Sequence, residues 1–193
     1  MGFLRRAGKR RWMTVSAGIA LFGLMIVHAV LRPEHAWVLL ATCDVAALST
    51  AAGLVFGWER WLAAALVFEV SIGLPAFAIG LCTTYPFNVT GVAIHVVPPI
   101  LGTAAFVGRA LPRHATVIAW IGYVATVLVS YVVAPPAEFN INFTTSVWPP
   151  LARTFPGRAE FYAVLFAIAA LVLWLGARGL KLVFRDREPR CST

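Results

Sequence analysis

Apolar residues along this chain are gathered into long blocks, not spread in the two-residue alternation of a half-buried strand or the single stripe of an amphipathic helix. Six blocks reach the roughly 20 mostly apolar residues that a membrane-crossing helix requires. They fall at about 12–31, 37–57, 61–82, 89–108, 115–134 and 161–180. The pattern predicts an all-α integral membrane protein, a compact bundle of six transmembrane helices. A basic N-terminal tail (1–11) and a basic C-terminal tail (181–193) flank the spanning domain (12–180). Connections between blocks are short except for 135–160, rich in Pro and Asn, which reads either as a plain linker or as a loop that caps a site. The first block follows a cluster of basic residues, as a signal peptide does. A removable apolar core is only about 7–15 residues long, so the block is read as a retained helix.

Composition agrees with bilayer as the solvent: of 193 residues, 60% are hydrophobic and 12% charged, and mean hydropathy is +0.82. The net charge of +8 changes the picture only through its placement. Lys and Arg are retained on the cytoplasmic side during insertion. Arg5, Arg6, Lys9, Arg10, Arg11, Arg60, Arg109, Arg113, Arg178, Lys181, Arg185, Arg187 and Arg190 share one side of the predicted topology. Arg32, Arg153 and Arg158 fall on the other. Both termini are therefore expected inside, in a bacterial-type cytoplasmic membrane. Trp12, Trp37, Trp58 and Trp61 fall near predicted helix ends, where indole rings prefer the interface. A nucleic-acid partner is set aside because no soluble basic domain is present to carry one.

Three cysteines, Cys43, Cys82 and Cys191, make no disulfide framework. No phosphate-cradling glycine loop and no clustered Cys/His metal spacing occurs, so no metal and no cofactor is expected.

An ionisable side chain within a spanning helix costs about 2.5–3.5 kcal/mol on insertion scales, and such groups usually face the bundle interior. Here they are His28 in the first block, Asp44 in the second, Glu69 in the third and His95 in the fourth. Counting ~1.5 Å per residue from Trp37 and from Val89 puts Cys43 and His95 at one depth, ~9 Å below the outer boundary, with His28 slightly shallower. Glu69 counts deeper, toward the cytoplasmic half, and is left outside this layer. Cys43, Ala46, Ala47 and Thr50 share one helical face of small side chains. Pro98 and Pro99 take donors from the carbonyls of Ile94 and His95, so a kink is expected at the histidine. A thiol and an imidazole at one depth suit acyl transfer, in which the histidine takes the thiol proton and the thiolate attacks an ester carbonyl. Cysteine is equally at home as a small buried hydrophobe, and an intramembrane histidine as a structural hydrogen-bonding group.

The run Leu40-Ala-Thr-Cys-Asp-Val-Ala-Ala-Leu48 resembles the LHLCDxAAL segment of YwaF-like bacterial integral membrane proteins, with Ala41 where that family has a histidine. Asn140-Ile-Asn142-Phe143, followed by Trp148-Pro149-Pro150, is similar to its NYMFLxxKP stretch. Eukaryotic relatives of that family include a transmembrane acyltransferase that moves fatty acyl groups between phospholipids. The helix order is more distantly similar to that of the androgen-induced membrane hydrolases. The resemblance implies Cys43 as nucleophile, His95 as general base and Asn142 as the group that polarises the carbonyl or shapes the pocket. Asp44 and His28 are supporting candidates, and membrane lipids, as phospholipid or fatty-acyl ester, are the expected partners. The expectation is a lipid acyltransferase or lipid-ester hydrolase. The alternative is a non-enzymatic multi-pass module: a small carrier, an ion- or haem-binding protein, or an assembly partner.

Overall fold

The computed structural model describes residues 2–31, 39–83, 87–133, 142, 147, 151, 153–155 and 157–184, with side chains from Arg11 onward. His35, Trp37, Cys191 and most of the 135–160 loop, including its expected role as a cap, lie outside the described residues. Among the described residues six helices carry the fold: α1 (Gly2–Val30), α2 (Thr42–Phe56), α3 (Glu59–Thr83), α4 (Val89–Phe106), α5 (Ala115–Val133) and α6 (Arg158–Val183). Among the described residues there is no strand. The apolar parts of α1, α3, α4, α5 and α6 are long and apolar enough to cross a membrane. The basic run at the start of the chain continues into the same helix, since α1 begins at Gly2.

The second block departs from expectation. Leu39 and Leu40 form a 3-10 turn, Ala41 is extended, and α2 starts only at Thr42. It ends at Gly57, whose left-handed φ of 75° turns the chain directly toward α3 while its N–H closes on the Gly53 carbonyl. Glycine adopts that conformation without a Cβ clash. What remains is a helix of 15 residues, ~22 Å long.

Burial shows which helices stand inside. From Leu62 to Glu69, α3 is buried at every position, a helix apolar on all sides and enclosed on all sides. Helices α1, α3 and α4 pack around α2, while α5 and α6 pack on the other side of α3. The small-residue strip of α2 is part of this contact: Ala46, Ala47 and Thr50 are buried, which lets neighbouring helices approach closely. Helix α4 runs unbroken through Pro98 and Pro99.

At Glu69–Gly73 the backbone of α3 widens into a π turn. Such a turn inserts one extra residue into the helix and is frequent at functional sites. Gly73 leaves room for the Glu69 carboxylate, which a Cβ at that position would displace.

Candidate functional site

The first turn of α2 is fastened from a distance. Ala41 has no side chain able to cap the helix, and Asn142, 100 residues further along, takes its place. Asn142 Oδ1 accepts from the Thr42 backbone N–H at 3.2 Å and from the Thr42 hydroxyl at 3.1 Å. Its Nδ2 donates to the Leu40 carbonyl and to Ser130 Oγ of α5, each at 2.8 Å. The Ser130 hydroxyl in turn donates to the Leu40 carbonyl at 3.3 Å. Two donors and two acceptor sites are what an amide has to offer, so the Asn142 side chain is fully committed. It sits at φ 51°, a left-handed conformation that asparagine tolerates better than most residues. In this arrangement Asn142 holds α2 to α5, and no N–H is left over for a substrate carbonyl.

Cys43 and Asp44 follow immediately on α2. Both belong to its first turn, where unpaired backbone N–H groups and the helix dipole favour negative charge. Asp44 is 1% exposed and stands at the centre of the polar layer. Its Oδ1 is 4.0 Å from His28 Nε2 on α1, beyond hydrogen-bond length but within ion-pair reach when the imidazole is protonated. Asp44 and Glu69 are both electrostatic neighbours of the Cys43 thiol, and of each other. Tyr123 of α5 is a further electrostatic neighbour of the thiol.

On the opposite flank, α4 begins with a side-chain cap. Asn88 Oδ1 accepts from the backbone N–H groups of Thr90 at 3.1 Å and Gly91 at 3.3 Å, and from the Thr90 hydroxyl at 2.8 Å. With its proton given to Asn88, Thr90 Oγ1 accepts from His28 Nδ1 at 2.9 Å. This assigns the Nδ1–H tautomer to His28 and turns Nε2 toward Asp44. His95, one turn further along α4, donates from Nδ1 to the Gly91 carbonyl at 2.8 Å. Its ring stacks on Phe77 of α3, with centroids 3.9 Å apart and planes at 10°. The lone pair of His95 is thereby on Nε2, the nitrogen a general base would use. His28 is its electrostatic neighbour.

The candidates thus form a chain across the bundle: His95, then His28, then Asp44, then Cys43 with Glu69. Among the described residues no hydrogen bond joins Cys43 and His95; the His95 Nδ1 bond goes to the Gly91 carbonyl. A crevice between α2, α3 and α5 starts at Thr42, beside Cys43. It passes Ala46 and Ser49 toward Trp61, with Gly122 and Tyr123 opposite. Among the described residues no three of His, Cys, Asp and Glu converge as a metal set.

Thr90, Asn88, Ser130 and Glu69 were missing from the sequence-based list. Asn88 was readable as an N-cap, a side-chain acceptor immediately before an apolar helical run. Glu69 was displaced by its depth count. Measured from the helix ends that flank the Gly57 turn, Phe56 and Glu59, Cys43 lies 13 residues up α2 and Glu69 10 residues up α3, ~20 and ~15 Å of helix rise. A glutamate side chain spans the difference. No known family profile, curated protein or solved structure matches the chain.

Proposed function

We propose that this protein is a membrane-embedded enzyme acting on lipid acyl esters, with Cys43 as nucleophile. The supporting observation is the position of Cys43: in the first turn of α2, beside Asp44 in sequence and next to Thr42, where a crevice between α2, α3 and α5 opens. The backbone N–H groups of that turn are suited to a developing oxyanion, and the crevice leads away from it between three apolar helices, the direction an acyl chain would take. His95 Nε2 takes the thiol proton, the thiolate attacks the ester carbonyl carbon, and the tetrahedral intermediate expels the alcohol, which leaves with the proton from the imidazolium. A second lipid alcohol or water then attacks the Cys43 thioester and restores the thiol. In this reading the substrate, or water that enters with it, bridges Cys43 and His95. Catalytic hydrogen bonds are often long in the empty enzyme and tighten on binding.

The same reading places six spans in a cytoplasmic membrane, both termini inside and the polar layer in the outer half. It rests on the asymmetry of Lys and Arg and on the resemblance of the Cys-Asp-Val-Ala-Ala-Leu run to YwaF-like proteins.

The test is intact-mass measurement of the purified protein after incubation with a lipid extract. A hydroxylamine-sensitive acyl mass is expected on the wild type, absent from Cys43→Ala and diminished in His95→Ala. A wild type that stays unacylated across varied phospholipids and fatty-acyl esters refutes the enzyme. The enclosed Asp44 and Glu69 carboxylates then favour the second reading, a membrane module that binds an ion.

A further inference from the structure

Glu69 has no part in the acyl chemistry, yet it is the most enclosed ionisable group described, at 0% exposure. Both of its carboxyl oxygens lack a hydrogen-bond partner among the described residues, as do Asp44 Oδ1 and the Ser71 hydroxyl oxygen. These atoms are sealed from solvent. Two carboxylates left bare in such surroundings would each cost several kcal/mol or more, and proteins escape that cost by neutralising the charge.

The groups facing Glu69 do not supply a counter-charge. From α2 come Asp44 and Cys43, and Tyr123 of α5 is an electrostatic neighbour of the thiol. Helices α4 and α6 also pack on the π turn. Among the described residues, however, no cation from either forms an ion pair with Glu69. His28 Nε2 stands 4.0 Å from Asp44 Oδ1, so a protonated imidazole would pair with Asp44. The π turn adds a second feature, an altered backbone register in which the Leu74 N–H closes on the Glu69 carbonyl, a geometry frequent at functional sites. Gly73 leaves the space that the carboxylate occupies.

We infer that Glu69, both of whose oxygens are enclosed without a partner and whose electrostatic neighbour is a second carboxylate, Asp44, is the binding site for a small monovalent cation, a proton or a sodium ion, in the middle of the bundle. All its donors are hard oxygens, which suits such an ion. The site does not depend on the acyl chemistry proposed above and would persist if Cys43 proved purely structural.

The experiment is modification of the full-length protein, reconstituted in phosphatidylcholine nanodiscs, with dicyclohexylcarbodiimide. A protonated carboxyl adds across the carbodiimide, its proton passing to nitrogen, and the resulting O-acylisourea rearranges to a stable N-acylurea. Peptide mapping locates the adduct on the wild type itself, so the result does not depend on any variant folding. In sodium-free choline buffer an adduct is expected on Glu69, forming more slowly as pH rises from about 6 to about 9, and absent in Glu69→Gln. Protection by NaCl but not by KCl identifies sodium as the ligand. Dependence on pH alone identifies the proton. Gly73→Ala, which pushes the carboxylate out of its place, is expected to weaken either dependence. The inference is overturned if Glu69 stays unmodified in every buffer while the protein remains folded, or if it reacts at a rate indifferent to both pH and sodium.

Discussion

Asn142 fastens two helices through four hydrogen bonds, and replacing it with alanine measures what that fastening contributes. Each bond is worth about 1 kcal/mol net, and loss of a helix cap alone costs about 1 kcal/mol. Part of the loss is recovered, because the Ser130 hydroxyl already donates to the Leu40 carbonyl at 3.3 Å and can shorten that bond. The expected cost is about 2–3 kcal/mol. For a chain of this length each kcal/mol moves the midpoint by about 2–4 °C, so the apparent Tm in detergent should fall on the order of 5–10 °C. A partner variant makes the test specific. Ser130→Ala alone is expected to cost about 1 kcal/mol, and the double variant less than the sum of the singles, because the two side chains share one bond. An Asn142→Ala protein melting within about 2 °C of wild type, or strict additivity with Ser130→Ala, would show that Asn142 does not hold α2 to α5.

Further outcomes follow from other parts of the molecule. Thr90→Val removes the hydroxyl between Asn88 and His28 and is expected to destabilise by about 1–2 kcal/mol, measured as apparent Tm; no change would mean that His28 is held in place by other groups. Gly57→Ala places a Cβ on a left-handed residue and should cost about 1 kcal/mol without altering lipid reactivity, both read on the purified protein. Cys82 is exposed near the end of α3, so in intact cells of a Cys191→Ser variant a membrane-impermeant maleimide should label it. Labelling of Cys82 only after lysis would invert the proposed orientation. Cys43, partly buried, should react more slowly than Cys82 with a permeant maleimide in detergent.

The long apolar helices were legible because length and hydropathy alone define them: Glu59–Thr83, Val89–Phe106 and Ala115–Val133 fall within a few residues of the expected blocks. The late start of α2 was not legible, because Leu39, Leu40 and Ala41 are as apolar as the helix they precede. The feature that ends the helix there is an asparagine 100 residues away. The π turn was hidden for a similar reason. Glu-Val-Ser-Ile-Gly carries no breaker that distinguishes one extra residue in a turn from an ordinary helix, and the close approach of Gly73 to Glu69 exists only in three dimensions. Polar residues in apolar blocks were a sound guide to location: His28, Asp44 and His95 do belong to one chain of neighbours. They say less about pairing, since spacing along separate helices says nothing of rotation, and among the described residues no hydrogen bond joins the cysteine to the histidine.

The shortness of α2 has a consequence for the lipid around it. At ~22 Å it falls well below the ~30 Å of a typical hydrocarbon core, while its neighbours α3 and α6, with 25 and 26 residues, span that thickness with length to spare. Because α2 ends flush at the Gly57 turn, the deficit accumulates at the Thr42 end, where the bilayer must thin locally or let headgroups and water descend toward Asn142 and Cys43. Acyl-chain length in the host membrane therefore acts on this protein as a mechanical variable. Short-chain bilayers fit α2 as it stands, and long-chain bilayers work to pull its Thr42 end open.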